Sequence, residues 1–430
     1  MARQPSCYGL LLPDLLLSTV KLLHTADWHL GHRLHGHERY YEHRSFLDWL
    51  MNEIVQRDID GLLVAGDVFD TANPSATSWQ LFYQFLASLR QQRPHLNVII
   101  IAGNHDSPSK LDAPHELLKS FDLHLIGAIE RDDSGQLNCE KLAIPLKDKT
   151  GKVAAWCAAV PFLRSADLRI NDEQTEGEDR LVVGVREIYQ QVFAHIDTQR
   201  AAEQPILALG HAYLQSGELS ELSERKILGG NQHALPLSVF DDADHVALGH
   251  LHLSQALSER VYYSGSPLPL SLAEQHYPHR VIELTVSDNQ IAVTDMIGVP
   301  HTVDILRLPT QAAPLDDVLA ELSALSLTDL PHNQRPFLEV RVKLDKPEAR
   351  LRERVLAALT DKPVRLARIH TEYTGHGLGI ADQMTIVPLD SLTPREVFEL
   401  CYQRQYASSP DIELVNCFEE LETVLEHPAL

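Results

Sequence analysis

Apolar residues fall along this chain in two rhythms. Unbroken runs at Val20–His24, Gly61–Ala65, Asn97–Ala102, Pro205–Leu209 and His245–Leu248 predict short strands buried on both faces. Between the first two runs, Phe46, Leu47, Leu50, Ile54 and Val55 recur at helical spacing. Trp79, Phe82, Tyr83, Leu86 and Leu89 do the same between the next two, in a helix that Asn73-Pro74 is expected to open. Strands alternating with helices from Val20 to about residue 300 predict a layered α/β or α+β domain.

The texture changes after Pro300. Leu315, Val318, Leu319 and Leu322 mark a helix, and a proline-rich break follows at Leu330–Pro336. Leu338, Val340, Val342 and Leu344 then alternate with Glu339, Arg341 and Lys343, as in a strand with one wet face. Leu351, Val355 and Leu359 stripe another helix, and Val364–Ile369 predicts a further strand, so residues 301–372 are expected to form a small α/β domain. The polar, glycine-rich stretch from Tyr373 to about residue 389 is expected to be a linker. Residues 390–430 carry two helical stripes, with Val397, Phe398 and Leu400 on the first and Leu414, Phe418, Leu421 and Leu425 on the second. Thr393-Pro394-Arg395-Glu396 has the spacing of a capping box before the first.

At the other end, Leu10–Leu12 and Leu15–Leu17 are split by Pro13 and Asp14. That is neither the continuous core of a signal peptide nor a run long enough to span a membrane. Residues 1–19 are expected to be a disordered extension or the product of a mis-assigned start, and the protein is expected in the cytoplasm, near the nucleoid. Five scattered cysteines, with no C-x-x-C pair, do not form a disulfide framework or a structural zinc site. The formal net charge of −23 argues against broad coating of nucleic acid, because phosphate contacts come from Lys and Arg. It does not argue against a local site whose charge is set by bound cations.

Each of the five predicted strands runs into a short polar motif: Asp27-Trp28-His29, Gly66-Asp67-Val68-Phe69-Asp70, Gly103-Asn104-His105-Asp106, Gly210-His211 and Gly249-His250-Leu251-His252. Ligand sites in such folds gather beyond the carboxyl ends of strands, so the motifs are expected to converge. Glycine before four of them is expected to let the chain turn off the strand. Asp27 and His29, like His250 and His252, are two apart and would project together from an extended segment. Carboxylates, imidazoles and a carboxamide oxygen, without any thiolate, suit a pair of divalent cations bridged by one carboxylate. Any single histidine of the 23 is more simply a surface or core residue, and His32, His35, His37 and His43 are read that way. Five motifs in order at strand ends are not.

The order D-x-H, G-D-x-x-D, G-N-H-D, G-H, G-H-x-H resembles the calcineurin-like metallophosphoesterase superfamily. The longer strings His24–Gly31, Val64–Asp70, Ala102–Ser107, Ala247–His252 and Tyr263–Pro267 resemble, within it, the SbcD family of bacterial nuclease subunits. The resemblance covers about Val20–Val299, becomes one of general layout beyond, and leaves out residues 1–19. It implies a metallophosphoesterase sandwich of β-sheets flanked by helices over 20–300, a smaller α/β capping domain that binds DNA over 301–372, and a C-terminal helical tail. It also implies that Asp27, His29, Asp67 and His252 hold one metal, that Asp67 bridges to a second held with Asn104, His211 and His250, and that His105 is the catalytic histidine. Manganese is the metal implied, with magnesium an alternative; Asp70 and Asp106 are candidates for orienting the ligands. The implied activity is ATP-dependent exonuclease action on duplex DNA ends and endonuclease opening of hairpins or single strands, in DNA repair, recombination and replication. The implied partners are DNA, a second copy of the chain, and the coiled-coil ABC-type ATPase SbcC, gripped by the C-terminal helices.

Two features bear on the substrate independently. The Ser/Thr phosphatases of the superfamily continue the second motif with Asp-Arg-Gly, whereas Asp70 here is followed by Thr71-Ala72. Losing that phosphate-clamping arginine favours a diester over a monoester. No G-x-x-x-x-G-K-[S/T] occurs, so the chain has no P-loop and any ATP dependence comes from a partner. A small-molecule phosphodiesterase and a non-catalytic scaffold remain open on the sequence.

Overall fold

The computed structural model describes residues 19–168, 179–215, 217–218, 234–373, 394–406, 408–411, 414–415 and 418. The expected N-terminal extension, the linker and most of the last helix lie outside the described residues. Two compact units result, Met1–Asp304 and Ile305–Leu430.

In chain order the strands of the larger unit are β1 (Val20–Thr25), β2 (Gly61–Ala65), β3 (Asn97–Ile101), β4 (Leu123–Ile126), β5 (Ala143–Lys147), β6 (Val153–Ala159), β7 (Ile206–His211), β8 (His245–Gly249), β9 (Val261–Tyr263), β10 (Arg280–Ser287) and β11 (Gln290–Gly298). One six-stranded sheet has the order β11-β10-β1-β2-β3-β4, with β1 to β4 mutually parallel. The other runs from a short strand at Gln255–Ala256 through β9-β8-β7-β6 to β5, with β6 to β9 parallel.

The alternation of side chains along the first sheet explains the layering. Leu22, Leu63, Ile99 and Ile101 point into a core shared with the second sheet. Leu23, Leu62, Val64, Val98 and Ile100 point the other way, into a core closed by helices α1 (Tyr40–Gln56) and α2 (Ala76–Gln92). Both faces are apolar, which is why these strands read as unbroken runs. On the second sheet, α3 (Arg180–Gln199) buries Val185, Ile188, Val192 and Ile196. The larger unit is thus a two-sheet sandwich flanked by helices, as expected.

Two local expectations change. Helix α2 begins at Ala76, with the Ser75 hydroxyl accepting the Ser78 amide at 3.1 Å, so the cap is Ser75 and not Asn73-Pro74. Its surplus of aromatic residues does not all face outwards. Phe82 and Phe85 are buried, Phe85 edge-on to Trp28 at 5.6 Å, and Tyr83 is exposed. Phe85, whose helical spacing would equally allow a place on a dimer interface, belongs to its own core. Phe85→Glu is therefore expected to cost at least about 3 kcal/mol, combining loss of the ring with a buried charge. A lowered denaturant midpoint would show it; a fully stable but monomeric variant would return Phe85 to an interface.

The smaller unit carries β12 (Ile305–Pro314), α4 (Leu315–Ala324), β13 (Phe337–Leu344), α5 (Leu351–Ala358) and β14 (Arg365–Tyr373), all three strands parallel. Val318, Leu322, Val340, Val342 and Val355 form its core. On the opposite face Glu339, expected in water, is buried between Arg307 (3.0 Å) and Arg368 (2.8 Å). Helix α6 (Pro394–Tyr406) is seen, with the Tyr406 ring 5.2 Å from Tyr373 and Phe398 stacked on Phe418 at 4.4 Å. No helix among the described residues is long and apolar enough to cross a membrane.

Candidate metal centre

The loops beyond β1, β2, β3, β7 and β8 meet at one end of the two sheets. Pairing continues past the strands: Asp27, His29 and Leu30 donate their amides to the carbonyls of Gly66, Asp67 and Val68 at 3.0, 3.0 and 2.9 Å. Four of the seven expected ligands are not extended. Asp27, His29, Asp67 and His250 have φ of 53°, 45°, 48° and 103°, a region that L side chains rarely occupy. Side chains expected to align by alternation are instead aimed by four left-handed kinks, each strained and each held by the surrounding packing.

The glycines also act differently from expectation. Only Gly66 (φ 88°) uses a left-handed conformation, and a Cβ there would lie 2.3 Å from His211 Nδ1. Gly103 and Gly249 are needed for close approach. A Cβ on the first would lie 2.1 Å from Asp67 Oδ1, and on the second 2.0 Å from the Ala65 carbonyl oxygen.

All seven expected ligands converge. Donor atoms of Asp27, His29 and His252 lie within 4.8 Å of one another, as do those of Asp27, Asp67 and His211. Asp67 Oδ2 sits 3.6 Å from His29 Nε2 and 3.5 Å from His211 Nε2. Asn104 Oδ1 accepts from His211 Nε2 at 2.9 Å and from His250 Nδ1 at 3.0 Å, and the His250 amide donates to both oxygens of Asp27. His105 sits beside this cluster. Its amide donates to Asp67 Oδ1 (2.8 Å) and its Nδ1 to the Asp70 carbonyl (2.7 Å). Its ring also falls within 4.8 Å of the donor atoms of His29 and Asp67. His32, His35, His37 and His43 join no such group among the described residues.

The cage fits divalent cations. Both ring nitrogens of His29 are buried without a well-aligned hydrogen bond and face only carboxylates, Asp70 at 3.3 Å and Asp67 at 3.6 Å, an arrangement that a cation at one nitrogen would satisfy. His211 meets oxygen acceptors at both nitrogens, Ala65 O (2.8 Å) and Asn104 Oδ1. Burial pulls its pKa down, but Asp67 and Asp27 outweigh that and push it up to about 9. A proton there does what a cation between the same groups would do. Burial raises Asp27 to about 7, against the pull of His211 and His252, whereas for Asp67 the imidazoles of His211, His29 and His105 overcome burial and hold the carboxylate ionised. Two buried carboxylates that cannot both be charged without compensation call for bound positive charge.

Supporting contacts orient the cage. Asp70 Oδ1 is 3.3 Å from His29 Nδ1. The buried Asp106 carboxylate accepts the amides of Gly103, Val68 and Phe69 at 2.8, 3.1 and 2.9 Å, tying the second and third motifs together. One residue escaped sequence reasoning: the fully buried Glu274 places Oε1 3.3 Å from His252 Nδ1. Carboxylates that fix the second nitrogen of a metal-ligating histidine are common, but nothing in the sequence ties Glu274 to His252 22 positions earlier.

A two-sheet sandwich with this cage at its strand ends defines a metallophosphoesterase, and the profile described as Calcineurin-like phosphoesterase matches residues 20–254. A second profile, described as Type 5 capsule protein repressor C-terminal domain and labelled SbcD_C, matches residues 301–406. Proteins named as the SbcD component of the nuclease SbcCD are similar over most of the chain. That of Rhodobacter capsulatus is 40% identical over 355 residues, 81% of this chain and 86% of that protein. The Escherichia coli K12 protein is 28% identical over 385 residues, 88% and 92% of the two chains. The Bacillus subtilis protein is 35% identical over 272 residues, 61% and 65%. The chain belongs to the SbcD family of calcineurin-like phosphoesterases.

Proposed function

We propose that the chain is the nuclease subunit of an SbcCD-type complex, cleaving DNA phosphodiesters with two divalent metal ions bridged by Asp67. The observation that carries this is the pair of overlapping donor groups, Asp27/His29/His252 and Asp27/Asp67/His211, around a buried histidine whose two ring nitrogens face only carboxylates. Asp27, His29, Asp67 and His252 would hold one ion, and Asp67, Asn104, His211 and His250 the other. Manganese suits these nitrogen and oxygen donors, as does magnesium less well. When bound, the two ions supply an activated water and a clamp for in-line displacement at phosphorus. The protein supplies the rest. Asp67 and Asn104 set the spacing of the two halves, and His105, with Nδ1 committed to the Asp70 carbonyl, presents Nε2 to stabilise or protonate the leaving oxygen.

Support for DNA as substrate comes from the relatives' names and from the absence of the arginine that follows Asp70 in monoesterases. The proposed substrates are duplex ends, cut as an exonuclease with ATP, and hairpins or single strands, cut as an endonuclease. Assays of linear duplex, hairpin, cyclic nucleotide and a chromogenic phosphodiester, with and without the SbcC-type ATPase, test it. Cyclic nucleotide turnover without DNA cleavage would favour the small-molecule alternative.

The same reading gives a homodimer, a DNA-binding cap in residues 301–372, and a C-terminal segment, residues 390–430, that docks on the ATPase. The Tyr373–Tyr406 contact gives α6 a foothold on its own unit, yet Val397 and Phe398 are only half-buried. Deleting residues 390–430 is expected to leave metal-dependent cleavage of simple substrates intact and to abolish ATPase binding. Co-purification of the shortened chain with the ATPase at unchanged yield would refute that role.

A further inference from the structure

In so acidic a chain, many described cations of the larger unit are paired with carboxylates: Arg39 with Glu42, Arg57 with Glu53, Arg93 with Asp58. Arg164 is an exception. It stands five residues beyond β6, whose parallel neighbour β7 ends in His211, so its segment leaves the sheet at the metal-centre end. The Phe162 amide donates to the Ala102 carbonyl at 2.8 Å, next to the loop that carries Asn104 and His105. The Phe162 ring meets His211 edge-on at 6.1 Å. The Arg164 guanidinium lies over that ring, 5.4 Å from its centroid, and Nη2 reaches the carbonyl of Asp106 at a long 3.4 Å. Among the described residues no ion pair involves Arg164, and its side chain is half-buried.

An arginine is thus stacked on one side, anchored to the carbonyl of the residue after His105, and, among the described residues, left with most of its five N–H donors unused and no carboxylate paired to its charge. A guanidinium fork in this state matches the oxygens of a phosphate, and stacking keeps its geometry fixed before the ligand arrives. We propose that Arg164 binds the backbone phosphate next to the scissile one, supplying at the rim of the metal centre the anion recognition that the chain's overall charge withholds. Its anchor is the carbonyl of the residue that follows His105 in the chain, which ties it to the same loop as the catalytic histidine while leaving the fork for a neighbouring phosphate. This rests on the nuclease reading above and names how that site holds a strand.

The test compares two substrates of the full-length protein loaded with manganese: an oligonucleotide, which has a neighbouring phosphate, and a chromogenic phosphodiester, which has none. For Arg164→Ala the KM for the oligonucleotide should rise roughly 10-fold with kcat little changed, as expected for a lost charge-assisted contact. The dependence of log KM on log salt should become shallower by about one charge. Turnover of the small diester and the bound metal should stay at wild-type values. Arg164→Lys should restore the salt dependence but only part of the KM, since a point charge replaces a fork. Unchanged oligonucleotide KM and salt dependence would overturn the proposal. So would an equal loss on both substrates, whether metal is lost with it (a structural role) or retained (contact with the scissile phosphate). A wild-type protein that hydrolyses the diester but cleaves no DNA fails at the earlier step and rejects the nuclease reading before any variant is compared.

Discussion

Asp67→Asn is expected to lose essentially all nuclease activity and to weaken both metal sites at once. Asp67 Oδ2 lies between His29 Nε2 and His211 Nε2, at 3.6 and 3.5 Å, which is where one carboxylate oxygen can serve two ions. Residues that merely orient ligands cost about 10–100-fold in metal affinity when removed, so a bridging ligand should cost more than about 100-fold. The substitution is otherwise gentle. Asparagine tolerates the left-handed conformation at φ 48°, and its Oδ1 can still accept the His105 amide. The amide nitrogen, however, brings N–H donors where cations should sit. Thermal unfolding should therefore match the metal-free wild type, while metal analysis after dialysis should show both equivalents depleted. Retention of two full equivalents would remove Asp67 from the bridge.

How much of this was legible in the sequence follows from what each feature depends on. The strands β1, β2, β3, β7 and β8 were visible because sheets covered on both faces need unbroken apolar runs, and a run ending in Gly-Asp or Gly-His marks where the chain leaves the core. The convergence of Asp27, Asp67, Asn104, His211 and His250 needed only the rule that parallel strands deliver their carboxyl ends to one side. What stayed hidden depends on contacts between distant segments. Gly249 reads as a turn glycine until Ala65 is seen against it, and what the candidate orienting residue Asp106 holds is visible only when its carboxylate is found on the amides of Val68 and Phe69. Phe85 could face a partner or its own core with the same helical spacing, and only Trp28 beneath it decides. Glu339 alternates like a solvent residue, yet two arginines from neighbouring strands bury it. Tertiary partners, and not local propensity, settle such positions.

Separating ligand from acid requires the histidine that touches both possibilities. His105 shares a 4.8 Å donor group with His29 and Asp67, so proximity alone would allow it to bind metal. Its hydrogen bonds argue for another task. With Nδ1 donating to the Asp70 carbonyl, one tautomer is fixed, and Nε2 is the remaining nitrogen, free to hold or release a proton. The ring is half-buried and packs edge-on against His29 at 4.8 Å. His105→Asn is therefore expected to bind both metal equivalents with near wild-type affinity while kcat falls about 10²–10⁴-fold, the usual contribution of a positioned proton donor. The loss should be smallest on substrates whose leaving group needs no proton. A chromogenic diester with a nitrophenolate leaving group should thus be hydrolysed far closer to the wild-type rate than DNA, whose alkoxide leaving group is strongly basic. If the variant loses one metal equivalent and both substrates suffer alike, His105 is a ligand and the acid must be sought elsewhere.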